Sequence, residues 1–448
     1  MTKTSFERII DHGLTRRDVL RGASAGVAAS LLYPAAGARG QGVPSAPATR
    51  PRTLTPADMP AAWSVGEIHR RWQAARERMR ALELDCLLVP QHRPGAMILE
   101  RMDGDMDVEW LTGNALPFKY VILPYEGTVT AISGGKIRRT PEETLTAERD
   151  IDVRIVQGGQ WSAAIVETLR EQGMARARIG VGNLVDATRH PEGEISYTTY
   201  DRVLKALPQA TFVSAADLLW RVKLVRSAEE IAAFEISAAV GEIGLQAMME
   251  TARPGVPQRV VWLAMYEAMV NASGERPFRL SIAAGASANS TVNRPVEDVM
   301  LAGQTLSQEC TGTVLGSGTQ VNHSVVVGPP APADWASVGQ YCLDTLHSVV
   351  DAMAPGKTIR EVAQIYDRRR EAMGQSTGGG VFHSGEVRTG SNGFAADVVL
   401  EPGMVFDIKP SILLKDGQTA QFGNSVVVTE NGARRLDKRE MKLITLDT

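Results

Sequence analysis

Cysteine is scarce in this chain: three in 448 residues, at positions 86, 310 and 342. An odd number of widely spaced thiols excludes the dense disulfide framework of a small secreted domain. The expected state is three buried thiols, with one pair at most joined after export. Aromatic residues make up only 5% and the formal net charge is −3. No Lys/Arg-rich run with interleaved aromatics occurs beyond the N-terminus, which argues against a nucleic-acid partner. The most apolar run, Gly22–Leu32, is too short to cross a bilayer, so no membrane span is expected in the mature chain. What remains is ordinary for a globular protein, 44% apolar and 22% charged residues, in a length sufficient for two cores.

The N-terminus has its own grammar. Thr15-Arg16-Arg17-Asp18-Val19-Leu20-Arg21, then the small-residue apolar run, then Ala36-Gly37-Ala38 give the charged, apolar and cleavage regions of an export signal with paired arginines. A short buried helix or a tail is the competing reading. Residues 1–38 are therefore expected to engage the twin-arginine export machinery, and the mature protein to be periplasmic or secreted. The Pro-, Ala- and Thr-rich stretch 39–64 reads as a linker.

Regular patterning begins at Val65. The spacing predicts a charged amphipathic helix over Glu67–Leu84, a strand at Asp85–Pro90, strands at Phe118–Pro124 and Gly127–Ser133, a helix at Trp161–Gln172, a strand at Arg178–Val181 and a helix at Tyr197–Ala206. This is an α/β layer arrangement. A long helix follows, whose start at Ser227 is marked by Glu230 three residues later, the pattern of a capping box. The helix is expected to reach Thr251. Strands follow at Phe278–Gly285, Gln304–Cys310 and Thr319–Gly328. A repeat then shows itself: Ala252-Arg253-Pro254-Gly255 and Met353-Ala354-Pro355-Gly356 each precede a helix, the second with Thr358 and Glu361 as its own capping box. Met404–Pro410 and Gln421–Thr429 flank the turn Lys415-Asp416-Gly417 as a hairpin, and the tail Arg434–Thr448 offers an edge strand.

Three local matches carry a resemblance, one of them the junction Leu219–Ile231, which is similar to one where a basic strand, here Leu219–Arg226, runs into the first helix of a catalytic domain. Trp110-Leu111-Thr112-Gly113-Asn114 between helix and strands, and Leu400-Glu401-Pro402-Gly403-Met404-Val405-Phe406 followed by Val426-Val427-Val428-Thr429-Glu430-Asn431-Gly432, resemble the creatinase/aminopeptidase P/methionine aminopeptidase superfamily. That resemblance implies an α/β (α+β) chain: a creatinase-like N-terminal domain over residues 65–222 and a pita-bread catalytic-type domain over residues 223–448. A homodimer is also implied. Metal-dependent relatives hold a pair of divalent ions with Asp, Asp, His, Glu and Glu in that order. The matching positions here are Glu309, Gln320, His383, Lys409 and Gly423, and Asn293 replaces a histidine that usually contacts substrate. A protonated lysine and a glycine side chain cannot coordinate, so a dinuclear centre is not expected.

Creatinase and similar amidinohydrolases work without metal, using a histidine that His383-Ser384 resembles. The reading is therefore metal-independent hydrolysis of a C–N or peptide bond in a small molecule or short peptide. His383 would transfer protons, as an imidazole can near neutrality, and Glu309 would orient a cationic nitrogen. Lys409 and Arg388 would meet a carboxylate or developing oxyanion, with Asn293, Gln320 and Asp407 completing the substrate site. No cofactor is expected. Three alternatives stay open: a Mn-, Co-, Zn- or Fe-dependent Xaa-Pro aminopeptidase or dipeptidase in which Asp407, Asn424 or His323 substitutes for a lost ligand; a non-catalytic pita-bread protein that binds a ligand or partner; and a salt bridge through Lys409 that only holds the sheet together.

Overall fold

The structure is a computed structural model that describes residues 53–91, 107–113, 118–134, 150–182, 184, 195–286, 297–375, 382–383, 388–389 and 395–447. The export-signal reading and Asn293 lie outside the described residues.

The first sheet has the strand order β4-β3-β2-β1-β5-β6, from β1 (Cys86–Pro90), β2 (Phe118–Pro124), β3 (Val129–Ser133), β4 (Ile151–Ile155), β5 (Arg178–Val181) and β6 (Thr211–Ser214). Every residue of β1 is buried, because the sheet is covered on both faces. Leu87 and Val89 enter one core with Ile68, Trp72 and Met79 of α1 (Val65–Ala81). Cys86 and Leu88 enter another with Ile165 and Leu169 of α3 (Trp161–Glu171) and Val203 of α4 (Tyr197–Ala206).

The Trp110–Gly113 segment forms a short helix, α2 (Asp107–Thr112), and its motif has a physical cause. The Leu111 carbonyl accepts from the Trp72 indole at 2.7 Å, and the Trp110 carbonyl accepts from Arg71 at 3.0 Å. Gly113 has φ 68°, and a Cβ there would fall 2.5 Å from Ile68. Arg71 is itself buried, lies over the Trp63 ring and pairs with Glu67 and Glu230. A buried arginine needs this matched set of carboxylates and rings around it.

The expected basic strand at 219–226 is instead a helix, α5 (Ala216–Leu224), followed by a single bridge between Val225 and Met404. Lys223 of this helix is buried, with its ammonium 2.7 Å from Asp107. A division after residue 222 falls inside α5. The long helix α6 (Ala228–Thr251) starts as expected, with Ser227 and Glu230 forming the capping box.

The second sheet has ten strands. β7 (Arg279–Ala284), β8 (Gln304–Thr311), β9 (Gln320–His323) and β10 (Val325–Val327) make its first part. β11 (Phe382–His383), β12 (Arg388–Thr389), β13 (Val405–Ile408), β14 (Ser411–Leu413), β15 (Thr419–Thr429) and β16 (Gly432–Arg435) make the rest. One face packs on helices. Leu280, Ile282, Leu306, Cys310 and Val321 meet α6 and α7 (Gln258–Ser273), whereas Phe406, Ile408 and Phe422 meet α8 (Trp335–Ala352) and α9 (Ile359–Ala372). The single strand expected over 319–328 is broken at Ser324, whose hydroxyl meets Ser307 Oγ at 2.8 Å and accepts from the Gln421 backbone at 3.0 Å. All three cysteines are buried free thiols, and burial pushes each up to about 12. β16 pairs with β15 but overlaps the tail at Arg434 and Arg435 only, and the described rest of the tail adds a single bridge, Thr445 to Val326, in place of the expected edge strand.

Candidate active site

Alternation fixes what the other face of this sheet carries. Since Leu280, Leu306, Cys310, Val321, Phe406, Ile408 and Phe422 go to the helices, the intervening residues Ser281, Glu309, Gln320, Asp407, Lys409 and Gly423 share the opposite face. Register then brings them together. Ser281 lies opposite Glu309, Thr311 opposite Gln320, and Asp407 opposite Ser425, one step from the Ile408–Asn424 pair.

Lys409 is the centre of the group. Its ammonium forms an ion pair and hydrogen bond with Glu309 Oε1 and donates to Gln320 Oε1 at 3.1 Å. The other Glu309 oxygen pairs with the guanidinium of Arg279, on β7. One carboxylate is thus held between two cations. Sequence reasoning missed Arg279, which belongs to no motif: its place follows from the β7–β8 register, where it faces Thr311, two residues from Glu309.

Asp407 lies beside them and is buried. Burial pushes its carboxyl up to about 7, against the opposing pull of the Ser425 hydroxyl, the Gln320 backbone N–H and the Lys409 charge. The Gln320 N–H donates to Asp407 Oδ1 at 3.3 Å, and the Ser425 hydroxyl donates to the same oxygen. The Asp407 side chain thereby ties β9, β13 and β15 at the level of Lys409. The backbone of His383 is the register partner of Asp407 on one side and of Arg388 on the other. The backbone of His383 therefore lies beside the strand that carries Asp407, and that of Arg388 one strand further out.

Gly423 also has a reason to be glycine. A Cβ at that position would lie 2.7 Å from Lys409 Cβ and 3.0 Å from Asn322 Oδ1. The two positions crowd each other.

The other suggested substitutes for lost ligands are not here. Asn424 belongs to the opposite side of β15, where its amide donates to Asp437 at 2.9 Å. His323 is buried behind β9, facing the Phe422 ring edge-on and meeting the Lys442 carbonyl at 2.7 Å. Burial and the Arg439 charge lower its pKa to about 3, so it stays neutral.

A divalent metal pair needs several converging anionic oxygens. The four described positions supply one carboxylate, one neutral amide, one ammonium and no side chain. Among the described residues no group of three His, Cys, Asp or Glu side chains gathers as a metal site. The residues present do not fit that pair of ions.

Two family descriptions match the chain: the Creatinase/Prolidase N-terminal domain over residues 71–225 and Metallopeptidase family M24 over residues 232–430. The uncharacterized peptidase YqhT of Bacillus subtilis is 22% identical over 330 residues, covering 71% of this chain and 90% of that protein. Creatinase of a Bacillus species is 24% identical over 301 residues, covering 61% and 70% respectively. Among solved structures, an Xaa-Pro dipeptidase from Bacillus anthracis aligns with a TM-score of 0.69 at 16% identity, over 85% of this chain and all of that one.

Proposed function

We propose that this chain, which belongs to the creatinase/aminopeptidase P/methionine aminopeptidase superfamily, is an exported hydrolase that cleaves a C–N bond in a small nitrogen-containing substrate, peptide or not, without a divalent metal. The observation that carries the metal independence is the Lys409 ammonium lying between Glu309 and Gln320. An ammonium at that point repels a divalent ion and already satisfies the carboxylate that would bind it.

Hydrolysis then needs a base to take a proton from water and an acid to return one to the leaving nitrogen. His383 fills both roles in turn: water oxygen bonds to the substrate carbon, the imidazole accepts its proton, and the C–N bond breaks as that proton passes to nitrogen. Glu309, held by Lys409 and Arg279, orients the substrate. The mature protein acts after export, as a homodimer.

The description Metallopeptidase family M24 favours a second reading, a metal-dependent Xaa-Pro dipeptidase. Metal content of the purified mature protein, assayed with hydrolysis of Xaa-Pro dipeptides and small amidino compounds, separates the two. The proposal expects turnover in some C–N substrate, no stoichiometric divalent metal and no activation by Mn, Co, Zn or Fe. Near-stoichiometric metal that chelation removes together with activity would sink it. Complete inactivity toward all substrates would leave a binding protein. His383→Ala should abolish turnover while thermal unfolding stays unchanged.

A further inference from the structure

The Lys409 ammonium has three N–H donors. Glu309 Oε1 and Gln320 Oε1 take two of them, which leaves the third without an acceptor among the described residues. The side chain is 12% exposed, so the head group is neither sealed in the core nor free in solvent. Glu309 already has a guanidinium on its other oxygen, and the ammonium is a second positive charge on one carboxylate. A lysine serving only to neutralise Glu309 would be redundant there. Two fixed acceptors hold Nζ in place, and Gly423 lets β15 close on the Lys409 Cβ.

We propose that the third N–H of Lys409 is the electrophile of the site, donating to the carbonyl oxygen of the substrate, with Gln320 as the residue that positions it. This rests on the hydrolase reading and makes the substrate a carbonyl compound, an amide or a urea. As water oxygen bonds to the carbonyl carbon, the π pair moves onto the oxygen facing Lys409. Collapse restores the C=O bond and breaks C–N, and the nitrogen leaves with the proton taken from water. A donor already in place where charge develops costs no reorganisation during the reaction, which is why such donors weigh heavily in acyl transfer.

The probe is a phosphinic dipeptide analogue, whose anionic oxygen mimics the tetrahedral oxyanion, titrated into the mature protein by calorimetry. Lys409→Met should weaken binding by about 10²-fold, Lys409→Arg should recover part of it, and Gln320→Leu should weaken it by less than Lys409→Met. Because Lys409→Met strands a carboxylate, the wild type supplies an independent measurement. With 15N-labelled lysine, the Nζ resonance missing from Lys409→Arg should shift when the phosphinate saturates the protein. Equal affinity in wild type and Lys409→Met, an unmoved Nζ resonance at saturation, or no binding by the wild type overturns the proposal. Turnover accompanied by any of those outcomes leaves the hydrolase reading standing without this one. A shifted resonance without turnover sinks the hydrolase reading and the electrophile role with it, leaving Lys409 as a ligand-binding donor.

Discussion

The two halves of the C-terminal sheet and its helices are built on one frame and differ in the charge they place at its centre. In the first half the Gly255 N–H donates to the Met300 carbonyl at 2.8 Å, Met300 to Val256 at 3.0 Å and Gln258 to Asp298 at 3.0 Å. In the second half Gly356 donates to Leu400 at 3.0 Å, Leu400 to Lys357 at 2.7 Å and Ile359 to Val398 at 3.0 Å. Single bridges, Pro257 to Val299 and Thr358 to Val399, repeat at the same points. Gly303 and Gly403 then turn into β8 and β13 with φ 81° and 91°, and Glu309 and Lys409 stand at matching distances beyond them. Equal signs at these points would repel one another unless a cation lay between. Opposite signs attract directly, and the sheet carries its own cation.

The largest effect should come from making the halves alike. Lys409→Glu sets a second carboxylate against Glu309 beside the buried Asp407, and should cost about 3–5 kcal/mol, the range for breaking a buried pair by removing one partner. The check is the urea midpoint at constant slope. A midpoint unchanged from wild type would mean that Arg279 alone satisfies Glu309 and that the charge inversion between halves is incidental.

Asp407 has no acidic counterpart in the first half and gives the second half a pH signature. Its carboxyl is raised to about 7 from an ordinary 3.8, so the folded chain keeps a proton that the unfolded chain has already lost. Stability should therefore fall as pH rises from about 4 to about 7, by up to about 1.4 kcal/mol per pH unit, and then level off. Asp407→Asn should flatten that slope in urea unfolding followed across the interval. A slope that survives the substitution would place the titrating group elsewhere.

Gly423 tests the fit between the halves on a smaller scale. Gly423→Ala inserts a methyl 2.7 Å from Lys409 Cβ, and overpacking of this kind costs about 1–3 kcal/mol. The same variant should perturb phosphinate binding through Lys409. Normal stability and normal binding together would show that β15 can back away from Lys409 without consequence.

How much of this was legible in the sequence depended on whether the signal was local. The family resemblance alone assigned Glu309, Gln320 and Lys409 to one site, and the assignment could be carried over because each stands at a fixed place along a strand, where periodicity sets which side chains share a face. Arg279 was not legible: its partner is set by cross-strand register, and nothing around it distinguishes it from a solvated arginine. Helix α5 was misread for a related reason. The strand expected there came from the family resemblance, whereas Lys223 is buried on Asp107, a partner more than a hundred residues away that nothing local announces. The break at Ser324 was equally hidden, since it depends on hydroxyl contacts to Ser307 and Gln421 that come from other strands.

The smallest expected effect concerns how the matching helices begin. In the second half Thr358 caps α9: the Glu361 N–H donates to its hydroxyl at 3.2 Å, while the Thr358 N–H donates to the Glu361 carboxylate at 2.7 Å. In the first half α7 has Pro257 as its N-cap, which makes no side-chain cap, and its start is held by backbone contacts, the bridge from Pro257 to Val299 and the Gln258 N–H on the Asp298 carbonyl. Both helices are 14 residues or longer and pack on the sheet, so packing rather than capping dominates their stability. Thr358→Ala should accordingly cost only about 1 kcal/mol, read as a lower urea midpoint with phosphinate affinity unchanged. A loss several times larger would mean that the second-half frame depends on its cap, and that the bridge to Val399 is weaker than its counterpart at Val299.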